Sequence, residues 1–335
     1  MANTIPEPVI LDSLNGMVFR AMSVLAGKQL DLFTPLKNGP LSAGQLATSL
    51  GVEEAKLRPL LCALVVVGLL TFENGFFANT PEADYYLVRG GPHYWEYCHL
   101  FFSNIWSAAL HIAESIRTGK PQAAHDYTNM GEAELEEFIS SMHSVDGGTW
   151  FAQNYEFSAY KTVLDAGGGS GGVAIGLAEA LPHLQVTVAD LPSVTKTTRH
   201  FVARAGVADR VRVQEVDIVR QPITGSFDAA ILRFVLHVVL PEEAYQTVLN
   251  VHQALRPGGT IYVMGVIDDS YLAPEDSTMW GPVFTALYQR GDNITVQECR
   301  EIITKAGFED FKLDANRVIT ARKPAHIHST DIHTQ

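Results

Sequence analysis

The sequence predicts an α/β protein in which a mostly parallel, nucleotide-binding type of sheet follows a smaller helical domain. Three observations predict it. Residues 161–192 run from a strand to a glycine cluster, a helix and a second strand, strands and helices alternate from there to the end, and residues 10–90 read as helices followed by a hairpin. With 335 residues, 47% of them apolar, the chain is long enough for two domains and can bury a full core.

The charge and the cysteines argue against several classes of function. A formal net charge of −13 disfavours nucleic acid or an anionic membrane as partner, because phosphate binding needs clustered Lys and Arg. We expect no signal peptide, and the longest apolar stretch, near Leu60–Leu70, is too short to span a bilayer. The cysteines are isolated from one another: Cys62, Cys98 and Cys299. This spacing is typical of a reduced protein, so we predict a cytoplasmic location and no metal site.

Residues 1–91 are predicted to form a winged-helix domain. Apolar residues recur at helical spacing over residues 10–36. A short helix capped by Ser42 and ended by Gly51 follows, then an apolar helix and a hairpin with its turn at Asn74–Gly75. Such domains often bind DNA, but the candidate recognition helix carries many aliphatic residues and little positive charge. We therefore favour a dimer interface over a DNA-binding surface.

Residues 92–160 are predicted to form a helical linker or lid that is rich in aromatic side chains. Most of them belong to a core, since aromatic stripes at helical spacing usually do. A few, with aromatic residues nearer the carboxyl terminus, are candidates for lining an acceptor pocket. The candidate substrate-binding residues are Trp106, Tyr127, Met142, His143, Trp280, Phe284 and Tyr288. Residues 161–325 then form the sheet domain, and residues 326–335 form a disordered tail.

The glycine turn after the first strand of the sheet indicates the kind of ligand. The strand ends on Asp165, glycines at 167–172 follow, and the second strand ends on Asp190. Glycines let a ligand lie against the backbone, and an acid about 20 residues on is placed to bind ribose hydroxyls. A carboxylate before the turn opposes a pyrophosphate but suits an ammonium or sulfonium group. We therefore predict S-adenosylmethionine as the ligand, rather than a tight turn without one.

The later strands bring a third acid to the same edge of the sheet. A strand over Val211–Val216 ends at Asp217, and a strand over Phe227–Phe234 leads to His237. The remaining predicted elements are a helix over Pro241–Leu255, a strand over Thr260–Val266, a helix with a capping box at Thr295 and Glu298, and a final antiparallel pair of strands. Open α/β sheets bind ligands at the carboxyl ends of their strands, so we expect the three acids to surround one ligand.

Taken in order, the motifs LDAGGGSGG, VADLPSV, EVDIV, ILRFVLH and ALRPGGTIYVMG resemble those of the Rossmann-like class I S-adenosylmethionine-dependent methyltransferases. From about residue 10 to residue 322, the chain resembles the small-molecule O-methyltransferases that have a winged-helix dimerisation domain. The resemblance implies a homodimer with S-adenosylmethionine as cofactor and His237 as general base. The cofactor-binding residues that it implies are Asp165, Gly167, Gly169, Gly171, Asp190, Leu191, Asp217, Ile218 and Arg233.

The sequence departs from this family around His237. Val238–Val239 stands where family members usually have an Asp-Trp pair, and Gly265 replaces the acid that orients the base. The second orienting acid falls at Asn293, beside Asp292. An imidazole without a carboxylate partner is less basic and less well oriented. These departures weaken the case for His237 as a strong general base.

A weakened base favours a nucleophile that carries no proton. A thioether attacks with its lone pair, and its sulfonium product is stabilised by aromatic faces and carboxylates. We therefore predict S-methylation of a small thioether, as in the bacterial methylthiohydroxybutyrate S-methyltransferases of dimethylsulfoniopropionate synthesis that the chain resembles. The alternative is O-methylation of a phenolic or polyketide-like hydroxyl with His237 as general base. An alternative of another class is a non-catalytic or regulatory protein that binds S-adenosylmethionine.

Overall fold

The computed structural model describes residues 7–91, 94–95, 98–266, 279–290 and 294–325. The chain divides into two compact units, Met1–Ser103 and Asn104–Gln335. The predicted tail over 326–335 and the predicted orienting residues Asp292 and Asn293 lie outside the described residues. The division of the chain into four domains stays a prediction.

The amino-terminal unit has the predicted order of helices followed by a hairpin. Its elements are α1 (Val9–Gln29), a 3-10 helix (Thr34–Asn38), α2 (Ala43–Leu50), α3 (Glu54–Val67), β1 (Leu70–Glu73), β2 (Phe76–Asn79) and α4 (Pro81–Tyr86). Ser42 and Gln45 form a capping box at the start of α2, and Gly51 ends that helix in the left-handed region. Asn74 and Gly75 have φ values of 52° and 89°, as the two central residues of a type I′ turn require. These local predictions are confirmed.

The helical spacing over residues 10–36 does not correspond to one continuous helix. α1 ends at Gln29, because Asp31 adopts a φ of 54° and turns the chain before the 3-10 helix. Leu32 and Phe33, which follow this turn, are fully buried. The sequence pattern does not distinguish this arrangement from a continuous helix, since the apolar residues keep the same spacing across the turn.

α1 leaves a large apolar surface exposed. Its exposed side chains are Val9, Ile10, Leu11, Leu14, Met17, Val18, Phe19 and Met22. Among the described residues, α1 is the one helix long and apolar enough to cross a membrane, with 21 residues and a mean hydropathy of 1.4. Asp12, Arg20 and Lys28 interrupt α1, so residues 60–70 remain the longest uninterrupted apolar stretch of the chain.

The second unit contains helices followed by a large sheet. The helices before the sheet are α5 (Cys98–Ala109, which begins in the first unit), α6 (Ile112–Thr118), α7 (Glu132–Ser141) and α8 (Asp146–Asn154). The elements of the sheet domain are β3 (Thr162–Ala166), α9 (Gly172–Ala180), β4 (Gln185–Asp190), α10 (Pro192–Arg204), β5 (Val211–Glu215), β6 (Phe227–Arg233), α11 (Pro241–Ala254), β7 (Leu255–Met264), α12 (Gly281–Leu287), α13 (Val296–Lys305), β8 (Glu309–Leu313) and β9 (Ile319–Arg322).

Within the described residues, seven strands form one sheet in the order β5-β4-β3-β6-β7-β9-β8. The first five are parallel, whereas β9 runs antiparallel to both β7 and β8. The chain order reverses between β3 and β6, which leaves a crevice at the carboxyl ends of these two strands. The predicted fold class and the final antiparallel pair are confirmed, and the crevice is where ligands bind in such sheets.

β7 begins earlier than predicted. Leu255 pairs with Phe227 and Thr260 with Ala229, so the intervening Arg-Pro-Gly-Gly segment is an irregularity inside the strand. Gly258 N–H donates to Lys323 O at 2.9 Å and Lys323 N–H donates to Gly259 O at 2.8 Å, so two backbone hydrogen bonds tie the segment to the chain after β9. The capping box predicted at Thr295 is only half formed. The Thr295 hydroxyl accepts from the N–H of Glu298, but the Glu298 carboxylate pairs with Arg290 at 2.5 Å.

Helices α8 and α9 touch backbone to backbone. A Cβ atom added at Gly148 would lie 2.1 Å from Val173 O, and one added at Gly176 would lie 2.1 Å from Val145 O. A Cβ atom added at Gly172, the first residue of α9, would lie 2.2 Å from Ser144 O, just before α8. Glycine is therefore required along this contact, which fixes the helix that starts at the glycine turn.

Candidate active site

The turns after β3 and β6 meet at the crevice of the sheet. Gly167, Gly169 and Gly171 have positive φ values of 70°, 55° and 78°, so the turn needs the conformational freedom of glycine. A Cβ atom added at Gly167 would lie 2.7 Å from Cγ2 of Val235 and 3.5 Å from Cδ1 of Ile218. Because Val235 lies two residues before His237, the glycine turn is packed against the segment that carries the candidate base.

Asp165 is a buried carboxylate with one oxygen left unsatisfied. Its side chain is at the end of β3, the residue is 1% exposed, and its Oδ2 has no hydrogen-bond partner among the described residues. Burial, followed by the negative charge of Asp190, raises the pKa of Asp165 to about 7, although the charge of Arg233 lowers it. A positively charged ligand group would satisfy this oxygen and favour the ionised carboxylate.

Asp190 closes the other side of the glycine turn. Its carboxylate accepts from the N–H of Gly169 at 2.8 Å and from the N–H of Leu191 at 2.7 Å. Burial raises the pKa of Asp190 to about 6, although both backbone hydrogen bonds lower it. Two acids beside a glycine turn fit a ligand with a cation and a ribose, so the residues present fit S-adenosylmethionine.

The other predicted cofactor residues lie at the same edge with different partners. The carboxylate of Asp217 accepts from the N–H groups of Val219 and Arg220 and pairs with the guanidinium of Arg220 at 2.8 Å. Burial pushes the pKa of Asp217 up, but the hydrogen bonds from Arg220 and Val219 outweigh it and lower that pKa. Ile218 is buried against the glycine turn. Burial lowers the pKa of Arg233, and the charge of Asp165 opposes this.

His237 is 5% exposed and lies in an aromatic stack. Its imidazole stacks on Phe284 with 4.6 Å between ring centroids and 19° between planes, and Phe284 stacks in turn on Trp280 at 6.2 Å and 21°. Burial, followed by the positive charge of Arg290, lowers the pKa of His237 to about 4. Its imidazole is therefore neutral at physiological pH. Among the described residues, no carboxylate hydrogen-bonds to it.

Gly265, where the resemblance implies an orienting acid, has no room for a side chain. Its φ is 100°, and an added Cβ atom would lie 2.5 Å from Cδ1 of Phe234. The ring of Phe234 thus occupies the space that a side chain at this position would enter. This arrangement cannot be read from the sequence, since it depends on how the ends of β6 and β7 meet.

Three predicted acceptor residues line up on and beside α12. Trp280, Phe284 and Tyr288 are spaced four residues apart, and Tyr288 lies edge-on to His237 at 6.1 Å. The hydroxyl of Tyr288 is 2.9 Å from the hydroxyl of Tyr127. Tyr127 and Leu191 pack against the same buried cluster, and burial, followed by Tyr288 and Asp190, raises the pKa of Tyr127. The cofactor end and the aromatic end of the crevice are therefore adjacent.

The strand-like segment before Tyr127 attaches to α12. Ala123 N–H donates to Ala286 O at 2.9 Å, and His125 N–H donates to Leu287 O at 3.0 Å. The ring of His125 packs against Phe138 at 4.3 Å, and burial lowers the pKa of His125 to about 4. The segment thus forms part of the wall of the aromatic cluster.

The remaining predicted acceptor residues are not brought into this cluster. His143 stacks on Phe201 at 3.7 Å, and its Nδ1 is 3.0 Å from the hydroxyl of Ser170, so it supports the glycine turn. Met142 is exposed. Trp106 lies half-buried on α5 and makes no ring contact with the described part of the cluster. Phe234 and Arg290 were not among the predicted site residues. The only signal in the sequence is their position: Phe234 lies three residues before His237, and Arg290 lies shortly before α13.

Comparison with known proteins decides the family. The model of the O-methyltransferase domain matches residues 110–309, and the model of the O-methyltransferase dimerisation domain matches residues 11–89. The chain belongs to the O-methyltransferase family. It is therefore an enzyme, an S-adenosylmethionine-dependent methyltransferase, and the predicted family, cofactor and enzyme class are confirmed.

Individual relatives agree with this assignment. The tetracenomycin polyketide synthesis 8-O-methyl transferase TcmO of Streptomyces glaucescens is 28% identical over 91% of this chain and 94% of its own. Acetylserotonin O-methyltransferase of Mus musculus molossinus is 30% identical over 91% of this chain and 84% of its own. The crystal structure of human N-acetylserotonin methyltransferase in complex with S-adenosylmethionine superposes with a TM-score of 0.80 at 22% identity, covering 97% of this chain and 100% of that one. The names of the first two relatives fit the O-methylation alternative better than the predicted thioether S-methylation.

Proposed function

We propose that this enzyme transfers the methyl group of S-adenosylmethionine to a hydroxyl of a flat aromatic acceptor, of phenolic or polyketide type. The observation that carries the proposal is the aromatic stack of His237, Phe284 and Trp280 beside the glycine turn. Parallel aromatic faces favour flat aromatic partners. The names of the relatives support an oxygen nucleophile, since TcmO and acetylserotonin O-methyltransferase are both O-methyltransferases.

In this proposal the strand ends hold the cofactor. Asp165 would bind the cationic part, the glycines at 167, 169 and 171 would lie along the methionine part, and Asp190 with Leu191 would bind the ribose. Asp217 and Ile218 would flank the adenine, and Arg233 offsets the charge of Asp165. When bound, the cofactor supplies a methyl group on a sulfonium, which is already activated for displacement. Holding the acceptor oxygen in line with that methyl group can lower the free-energy barrier by up to ~7–11 kcal/mol.

His237 receives the proton of the acceptor hydroxyl in this scheme. Its imidazole is neutral at physiological pH and so has a lone pair to accept with, but a pKa of about 4 makes it a weak base. Transfer from an ordinary phenol with a pKa of about 10 is uphill by roughly 8 kcal/mol. The proposal therefore favours an acidic hydroxyl, or one that loses its proton as the oxygen–carbon bond forms.

The test is a methyl-transfer assay on the purified protein with labelled S-adenosylmethionine and a panel of phenols, naphthols and small thioethers. Product on phenols or naphthols is expected, and product on thioethers alone would overturn the proposal. A His237→Ala change is expected to lower the rate by roughly 10²–10⁴-fold. The matched control is His252→Ala, because His252 is another histidine whose pKa is lowered by burial but packs against Phe308. Equal rates for the two variants would show that His237 takes no part in the reaction.

The sequence alone left open a protein that binds S-adenosylmethionine without catalysis. Membership of the O-methyltransferase family removes that alternative. Trp106, Met142 and His143 remain proposed acceptor residues on the strength of the sequence pattern alone.

We also propose that the enzyme is a cytoplasmic homodimer that binds neither nucleic acid nor membranes. The match of the dimerisation domain and the exposed apolar face of α1 support a second copy as the cover of that face. The net charge of −13 supports the absence of nucleic acid and of anionic lipid. Sedimentation of the purified protein tests the dimer, and recovery of the chain in a membrane fraction would contradict the assignment of α1.

A further inference from the structure

Phe234, at the carboxyl end of β6, has a strained backbone. Its φ is 57°, in the left-handed region, which a bulky residue rarely adopts. Its N–H donates to Met264 O at 2.9 Å, so pairing with the end of β7 holds the conformation in place. Glycine, asparagine or aspartate would adopt the same φ with less strain. Backbone requirements therefore do not explain a phenylalanine at this position.

Burial does not explain it either. The side chain of Phe234 is 48% exposed, so it gains much less from the hydrophobic effect than a core phenylalanine does. The neighbouring strand end is nevertheless shaped around it. A Cβ atom added at Gly265 would lie 2.5 Å from Cδ1 of Phe234 and 3.2 Å from its Cα, so glycine at 265 makes room for the ring. Strain retained at a cleft without a gain in packing is typical of a functional position.

The neighbours of Phe234 belong to the active site. Its ring lies edge-on to His237, with 6.0 Å between centroids and 77° between planes. The guanidinium carbon of Arg233 is 4.9 Å from the same ring centroid. Val235, the next residue along the chain, packs against the glycine turn. Phe234 therefore lies beside the histidine and next in the chain to a residue that packs on the cofactor turn, with part of its ring open to solvent.

We propose that Phe234 is an acceptor-binding residue whose exposed ring is a platform for the flat acceptor beside His237. This inference rests on the proposed function, because it takes the acceptor to be aromatic. A ring on this platform adds a second aromatic contact at the mouth of the cleft, next to the stack of Phe284 and Trp280. The strain at Phe234 and the glycine at 265 are then the structural conditions for keeping the platform in position.

The probe for the test is 1-naphthol, titrated by calorimetry into protein saturated with S-adenosylhomocysteine. Phe234→Leu is expected to weaken 1-naphthol binding roughly five- to tenfold, because it removes the ring and keeps an apolar side chain. Phe234→Trp keeps a ring and is expected to bind within about twofold of the original protein. The matched control is Phe76→Leu, since Phe76 is 44% exposed but lies in the hairpin of the amino-terminal unit. Its binding of 1-naphthol is expected to be unchanged.

A second variant separates strain from binding. Phe234→Gly removes the ring and relieves the backbone, so we expect an equal or higher thermal midpoint together with weaker 1-naphthol binding. Affinity for S-adenosylhomocysteine should stay unchanged in every Phe234 variant. Unchanged 1-naphthol binding in Phe234→Leu and Phe234→Gly would overturn the inference. So would a loss of S-adenosylhomocysteine affinity as large as the loss for 1-naphthol, since the residue would then serve the cofactor or the fold.

The inference and the proposed function fail in different ways. If the original protein methylates naphthols and all variants bind 1-naphthol alike, only the role of Phe234 is lost. If the original protein binds no naphthol and methylates thioethers alone, both are overturned.

Discussion

Two aspartates of the same sheet, Asp165 at the carboxyl edge and Asp228 at the amino edge, have opposite surroundings. The carboxylate of Asp228 accepts from the N–H groups of Lys161 at 2.8 Å and Thr162 at 2.9 Å, and it pairs with Arg256. Burial opposes the shift, but these partners lower the pKa of Asp228. Asp165 has an oxygen without a partner among the described residues and a pKa raised to about 7.

The difference separates a structural acid from an acid that awaits a ligand. Asp228 ties the start of β3 to β6 with its hydrogen-bonding capacity used within the fold. A depression of about 350 Å³ borders Asp228 and Arg256, but these two side chains are paired with each other. The unsatisfied oxygen of Asp165 has the opposite meaning, because a desolvated carboxylate is stable only when a cation or a proton joins it.

The largest effect is expected from Asp165→Asn. The amide keeps the shape but removes the charge that faces the sulfonium or ammonium group, so the Kd for S-adenosylmethionine should rise about 100-fold, or ~2.7 kcal/mol. The cofactor-free protein should be no less stable than the original, since a buried charge is lost. Calorimetric titration and urea unfolding measure the two quantities. An unchanged Kd would show that Asp165 does not bind the cofactor.

The reverse pattern is expected from Asp228→Asn. The change weakens the hydrogen bonds to Lys161 and Thr162 and the pair with Arg256, so the free energy of unfolding should fall by about 2 kcal/mol. Affinity for S-adenosylmethionine should be unchanged, because the site is at the other edge of the sheet. The same titration and unfolding curves test it. If both aspartate variants lost affinity alike, the comparison between the edges would be wrong.

The smallest effect concerns pH. With a pKa of about 7, Asp165 in the cofactor-free protein is about 90% ionised at pH 8 and about 10% at pH 6, so affinity for the cationic cofactor should fall about tenfold between them. Stability changes the other way. The folded pKa is raised above the value of 3.8, so the contribution of Asp165 is present at low pH and is lost as the pH rises through about 7. Asp165→Asn should remove most of the dependence of Kd on pH, and a flat profile in the original protein would contradict the linkage.

Features that depend on neighbouring residues were predictable from the sequence. The cap at Ser42 and the turn at Asn74–Gly75 each involve residues within four positions, and both are confirmed. The convergence of the strand-end acids follows from the topology of parallel sheets, so Asp165 and Asp190 were predictable as neighbours. Contacts between distant segments were not. The strand start at Leu255 depends on pairing with Phe227, and the position of the Glu298 side chain depends on Arg290.

The acceptor side of the site was harder to predict for the same reason. Trp280, Phe284 and Tyr288 were candidates as aromatic residues, and only the packed structure brings Phe284 and Tyr288 into contact with His237. His143 has an equally suggestive sequence context and lies against the glycine turn instead. The preference for a thioether relied on the missing acid at Gly265. The absence of one orienting group reports on the strength of the base, and does not identify the nucleophile.

The exposed apolar face of α1 has a consequence for the amount of protein in solution. In the proposed homodimer this face is covered only while a second copy is bound, so the measured stability includes a term in protein concentration. Dilution alone would then lower the melting temperature, with no change in sequence, pH or ligand. A low expression level would act on this enzyme as a destabilising mutation does, because separated chains expose a helix that water solvates poorly.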